Sequence, residues 1–169
     1  MTMTNQRGFT LIELVVVIIV LGILAVTAAP KFIDLQTDAR IATLKGAKGA
    51  IQGANALVYA KAAVNGVEGL DCTDAANAAN TGCVAVNSDI SIKPVFGSID
   101  ASDTDLQAVV ELDGGEWDLD DTTTSGTVYI TPDGVAVDTA SGKPDACQLE
   151  YVPATSSVAA TYTIEDKGC

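Results

Sequence analysis

Glu13 is the one charged residue between Phe9 and Ala29, in the run FTLIELVVVIIVLGILAVTAA. A lone carboxylate among apolar side chains is costly unless something pairs with it, and the natural partner is a cation such as an amine. Four cysteines, Cys72, Cys83, Cys147 and Cys169, all follow that run. An even number on one side of a membrane-length segment suggests two disulfides in an oxidising compartment. Three pairings are possible. Short loops close most readily, which favours Cys72–Cys83 and Cys147–Cys169, each contributing about 3 kcal/mol on the chain-entropy model.

Carboxylates gather at Asp113, Glu116, Asp118, Asp120 and Asp121, and again at Asp100, Asp103 and Asp105. Calcium prefers such oxygen ligands, yet neither stretch has EF-hand spacing, and solvated acidic loops are the expectation. The chain has no histidine, so His-based zinc sites and nucleophile triads are excluded. No G-x-S-x-G, Walker A or dinucleotide fingerprint occurs. Paired carboxylates could serve glycoside hydrolysis only by converging on a cleft. The expectation is a protein that is not an enzyme, with no cofactor and no metal.

These groups must be carried by a chain of 169 residues with net charge −13. Phe9 to Ala29 is 21 residues, roughly 32 Å as a helix, which matches a bilayer core. Arg7 precedes it and puts the N-terminus in the cytoplasm, leaving the cysteines outside. Pro30 interrupts the helical pattern and predicts a kink or a loosened turn. The pattern resumes at Leu44, Ala47, Ile51, Ala54 and Val58, one face of a helix. Asn65-Gly66 supplies a stop, so the helix ends near Val64, about 55 residues and roughly 80 Å long. Gly46, Gly49 and Gly53 form a second stripe, explained either by close approach of a sheet or another helix, or by tolerated weakness.

Charge divides along the chain. Residues 30 to 61 hold two acids and five bases; from residue 62 on, nineteen acids face three bases. Such an acidic part repels nucleic acid, and it could attract the basic helix of another copy. Residues 66 to 93 read as a connecting loop. Ser102 to Leu112 reads as a short helix with Ser102 and Asp105 as a capping box. Val128–Thr131 and Val135–Val137, around the turn Pro132-Asp133-Gly134, read as a hairpin. Cys147–Val152 and Val158–Ile164 complete about four antiparallel strands. The fold class is α+β, a long N-terminal helix with its rear half packed on the sheet.

GFTLIELVVVIIVLGILAVTAAPKF, residues 8 to 32, resembles the prepilin signature of type IV pilins and of type II secretion pseudopilins. The resemblance implies that prepilin peptidase cuts between Gly8 and Phe9 and that Phe9 becomes N-methylated. Residues 1–8 are then a leader, 9–64 the helix with 9–29 as its membrane and assembly segment, and 65–169 a globular head. Glu13, one turn from the new amine, would neutralise a neighbouring subunit's Phe9 amine and set the register of assembly; pairing with its own chain's amine, or a protonated carboxyl, is the alternative. The implied partners are further copies of the chain in a helical homopolymer, the peptidase and pilus assembly machinery, and the inner membrane before assembly into an extracellular fibre. In such pilins a C-terminal disulfide bounds a target-binding region, a role that Cys147 and Cys169 fit.

Residues 30 to 64, PKFIDLQTDARIATLKGAKGAIQGANALVYAKAAV, are similar to the corresponding part of mannose-sensitive haemagglutinin (MSHA) pilins. That similarity implies adhesion and biofilm formation on glycan or chitin-like surfaces. The alternatives are a type II secretion pseudopilin and an unrelated membrane-anchored extracytoplasmic ligand-binding domain. Four cysteines favour the pilin, because the major pseudopilin typically relies on calcium.

Overall fold

The structure, a computed structural model, describes residues 8–77, 80–83, 92–112 and 114–169. The chain divides into two compact units, Met1–Ala39 and Arg40–Cys169. Helix α1, Leu11–Asn65, contributes to both. The helix assignment runs through Pro30 without a break. Pro30 has no amide hydrogen, so one carbonyl a turn earlier goes without its helical partner.

In the first unit every large apolar side chain from Phe9 to Val26 is exposed. In the second unit α1 lays Leu44, Ala47, Ile51, Ala54 and Val58 into the core. The spacings of three and four put them on one stripe, and Leu44 and Ile51 are fully buried. The helix ends in a Schellman arrangement. Gly66 has φ +70°, its amide donates to Ala63 O, and the Val67 amide donates to Ala62 O. Val67 and Ala62 then pack together with the disulfide Cys72–Cys83.

Four strands follow: β1, Trp117–Asp120; β2, Val128–Pro132; β3, Gln148–Val152; and β4, Thr161–Glu165. They form one antiparallel sheet in the order β1-β2-β3-β4. The register brings Leu119, Ile130, Leu149 and Ile164 into one row across the sheet. Val128, Tyr151 and Tyr162 form a second row on the same face. This face and the α1 stripe share one core.

The sheet differs from the sequence reading in its members. β2 does not fold back on Val135–Val137; it pairs with β1, a strand hidden in the acidic stretch 116–121. The turn at the tip is real: Gly134 has φ +75° and the Val135 amide donates to Pro132 O. Beyond it the chain crosses the other face of the sheet. There the Gln148 side chain takes the place of a strand partner, accepting from the Asp138 amide at 2.9 Å and donating to Asp138 O at 3.0 Å. Lys143 adds an ion pair with Glu150. That cover leaves Tyr129, Thr131 and Gln148 buried on the sheet's second face.

Helix α2, Asp103–Val109, is shorter than expected, and its capping box does not form. Ser102 occupies the N-cap position with extended backbone, but its hydroxyl meets Thr104 Oγ1 rather than a backbone amide. The Asp103 amide is instead accepted by Asp121 Oδ2 at 3.3 Å. The glycine stripe has two readings, close approach of a sheet or another helix and tolerated weakness. A Cβ at Gly46, Gly49 or Gly53 would meet nothing within 4 Å, so no sheet approaches it.

A buried polar residue helps anchor the helix to the rest of its unit, beside Lys48, whose Nζ donates to Tyr162 O at 2.9 Å. Asn55, 7% exposed, accepts from the Ile99 amide at 2.8 Å. Its amide donates to the Tyr151 hydroxyl at 3.2 Å and to the Tyr162 hydroxyl at 2.5 Å. Tyr151 donates onward to Ile99 O. Burial drives the Tyr151 phenol far above its ordinary range, so it stays a donor. Removing Asn55 strands a buried amide and weakens two hydroxyl contacts. We expect Asn55→Ala to lower the unfolding free energy of the second unit by about 2–3 kcal/mol, measured by denaturant titration of the detergent-solubilised chain.

Candidate functional site

Gly8, Phe9 and Thr10 precede α1 without helical structure. Phe9 is 89% exposed and a Cβ at Gly8 would meet nothing. The Gly8–Phe9 bond thus lies in open, non-helical chain. Residues 1–7, including Arg7, fall outside the described residues.

Glu13 has a partner within its own chain, and it is Thr10. The Thr10 amide donates to Glu13 Oε2 at 2.8 Å, the Thr10 hydroxyl donates to the same oxygen at 2.6 Å, and the Glu13 amide reaches Thr10 Oγ1 at 3.3 Å. This is a reciprocal capping box, T-x-x-E, which satisfies two of the donors that every helix N-terminus leaves open. In lipid, where water cannot serve them, that satisfaction matters more. The sequence reading looks to an amine, which the uncut chain does not offer at Phe9. The Thr10-Leu11-Ile12-Glu13 spacing carried the missing signal.

Further along, the Thr27 hydroxyl donates back to Leu24 O at 3.0 Å, a turn-to-turn bond that hides its polarity within the helix. The two disulfides sit apart. Cys72–Cys83 closes the loop after α1, where Asn65 donates to Gly82 O at 3.2 Å. Cys147–Cys169 ties the last residue to the start of β3 and joins the main core. Gly168 packs directly on the Asp145 backbone and its amide donates to Ala146 O, so the terminus is pinned twice.

The acidic stretches do not converge on a metal site: among the described residues no group of three or more His, Cys, Asp or Glu is placed to hold an ion. Asp113 lies outside the described residues. Asp120 is engaged locally. The hydroxyls of Thr123 and Thr122, with both amides, hold its carboxyl down at about 2. Asp100 and Asp105 are raised, chiefly by burial; Asp71 adds to the first and Asp100 to the second.

Residues 3–29 match the prokaryotic N-terminal methylation motif. The type IV narrow pilus major component PilA5 of Thermus thermophilus is 40% identical over 58 residues, which is 34% of this chain and 50% of that protein. The chain thus spans about half the length of the curated relative it matches. No solved structure matches. The long N-terminal helix and four-stranded antiparallel sheet make an α+β, type IV pilin-like fold. The motif and the pilus relative support a type IV pilin. The apolar helix and the motif fit an inner-membrane anchor that precedes assembly into an extracellular pilus.

Two outcomes test this chemistry. Thr10→Ala removes the cap, worth about 1 kcal/mol, and exchange of the Glu13 amide in the solubilised chain should accelerate roughly fivefold, whereas Thr10→Ser keeps protection. For Asp105 the folded state holds its proton more tightly than the unfolded chain, so its ionisation at neutral pH opposes folding. Asp105→Asn should therefore raise the melting temperature at pH 7, and the gain should vanish below the ordinary carboxyl value of 3.8.

Proposed function

We propose that this chain is a structural subunit of a type IV pilus, polymerising through α1 into a surface fibre. The observation that carries the reading is the exposed apolar face of α1. From Phe9 to Val26 nothing among the described residues covers it. Burying a large apolar side chain gains about 1.5–3 kcal/mol. Over such a run the sum is on the order of tens of kcal/mol, above the roughly 5–15 kcal/mol that holds a whole domain folded. Lipid first, and copies of the same helix later, are the media that satisfy it.

Prepilin peptidase cuts between Gly8 and Phe9, discarding residues 1–8, and Phe9 is N-methylated. The new amine sits one turn from Glu13. In assembly the carboxylate of one subunit takes the amine of its neighbour, fixing the axial offset because no other charge in the seam can substitute. Pro30 supplies a weak point in α1 where the helix loosens as subunits pack. The two disulfides stiffen the outer part of a fibre exposed to the medium. Similarity of residues 30–64 to MSHA pilins supports the finer reading, a major subunit for attachment to glycan or chitin-like surfaces and for biofilm formation.

The test is made on material sheared from cells. We expect abundant fibres whose subunit begins at N-methylated Phe9 and lacks the mass of residues 1–8. Glu13→Val should be processed at that bond yet give few or no fibres. Fibres at normal yield from that variant would remove Glu13 from assembly, and an intact N-terminus in sheared fibres would remove the cleavage step.

A further inference from the structure

An open cleft of about 360 Å³ lies wholly within the second unit, between α1 and the 154–160 segment that links β3 to β4. Its lining includes Asn55, Tyr59, Phe96, Ser98, Ser157 and Val158. Among the described residues no charged one lines it, although 18% of the chain is charged.

The aromatic wall is built rather than incidental. Tyr59 is exposed at 54%, and a Cβ at Gly97 would meet its ring at 2.6 Å, so only glycine leaves that ring its place. Phe96 has φ +47° and Gly97 φ +75°, in a two-residue turn closed by bonds of 2.8 and 2.9 Å between Val95 and Ser98. A phenylalanine in the left-handed region is an uncommon and strained choice where asparagine or glycine would be at ease. The floor is fully engaged: Asn55 serves Ile99 and the two tyrosines, and the Ser98 hydroxyl donates to Val95 O and accepts from the Ala154 amide. The rim hydroxyls of Ser156 and Ser157 have no protein partner among the described residues.

From these features we infer that the cleft binds a neutral, hydroxyl-rich six-membered ring, a pyranose unit, stacked on Tyr59 and Phe96 and hydrogen-bonded by the rim serines. An ionic ligand would leave water here without a counter-charge. A wholly apolar ligand would leave the rim hydroxyls unserved. The volume admits one ring with its hydroxyls and water. With its floor groups already paired, the cleft offers few strong bonds, and affinity on the order of millimolar follows. A fibre presenting many copies turns such weak sites into firm attachment. The proposal rests on the attachment reading for its use, and its measurement is independent of it.

The full chain is solubilised in a zwitterionic detergent without a sugar headgroup. It is titrated by saturation-transfer NMR with the methyl glycosides of glucose, mannose, galactose and N-acetylglucosamine, and with methyl glucuronide as the charged comparator. At least one neutral glycoside should saturate in the millimolar range. Tyr59→Ala and Ser157→Asp should each weaken it about tenfold. Ser157 is exposed, and among the described residues its one hydrogen bond runs from its amide to Thr155 Oγ1, so that variant leaves the fold intact. Sheared fibres should bind with the same affinity per subunit. The proposal is overturned if no neutral glycoside saturates, if both variants bind like the parent, or if the glucuronide binds equally well. It is also overturned if solubilised chain binds but fibres do not, since a neighbouring copy would then fill the cleft. Failure to form fibres sinks the pilus reading while leaving the solubilised titration to decide the cleft.

Discussion

Helix α1 carries an apolar surface that nothing among the described residues covers. Large side chains from Phe9 to Val26 are all exposed, and the only charge among them is Glu13. An apolar surface of this extent marks a membrane or protein contact, and in the proposed fibre lipid takes it first and other copies later. This constraint also explains the care taken over Glu13. Its carboxylate is held by a hydroxyl and an amide of Thr10, and the same bonds close the helix terminus. In the proposed fibre the amine of a neighbour meets that local arrangement. Both Thr10 bonds end on Oε2, which leaves Oε1 to accept from the amine.

The same helix meets the opposite problem after Arg40. There one stripe is fully buried against a sheet whose inner face is assembled from alternate residues of all four strands. The core is made of modest side chains, with aromatic residues at only 5% of the chain. Two covalent cross-links and the Asn55–Tyr151–Tyr162 network compensate. Asn55 gives direction where apolar packing alone would tolerate sliding, since its carbonyl and amide each have a fixed partner.

Much of this was legible in the residues, for stated reasons. The spacing of Leu44 to Val58 fixed the buried face because a helix has one period, and Gly66 marked the end because the reversal there needs a positive φ. The strands were harder. Trp117-Asp118-Leu119-Asp120 alternates as a strand should, but its acids drew attention to charge and away from period. Val135-Ala136-Val137 alternates just as well and yet pairs with no strand, because the Gln148 side chain, distant in sequence, satisfies the backbone that follows it. Ser102 and Asp105 have the spacing of a capping box, but the Ser102 hydroxyl turns to Thr104 Oγ1 and caps no amide. Thr10 and Glu13 have the same spacing and do form one. The cleft was invisible because its walls come from α1, a turn near residue 96 and the segment before β4.

The order of the sheet leaves β1 and β4 as its outermost strands, each with one side that no other strand pairs with among the described residues. Such margins invite a foreign strand to zip on, a route to amyloid-like stacking. Asp118 and Asp120 stud one margin, and Glu165 stands at the end of the other. A second molecule laying its own margin alongside would bring like charges face to face. A chain proposed to polymerise by its apolar end thereby disfavours the other kind of polymer.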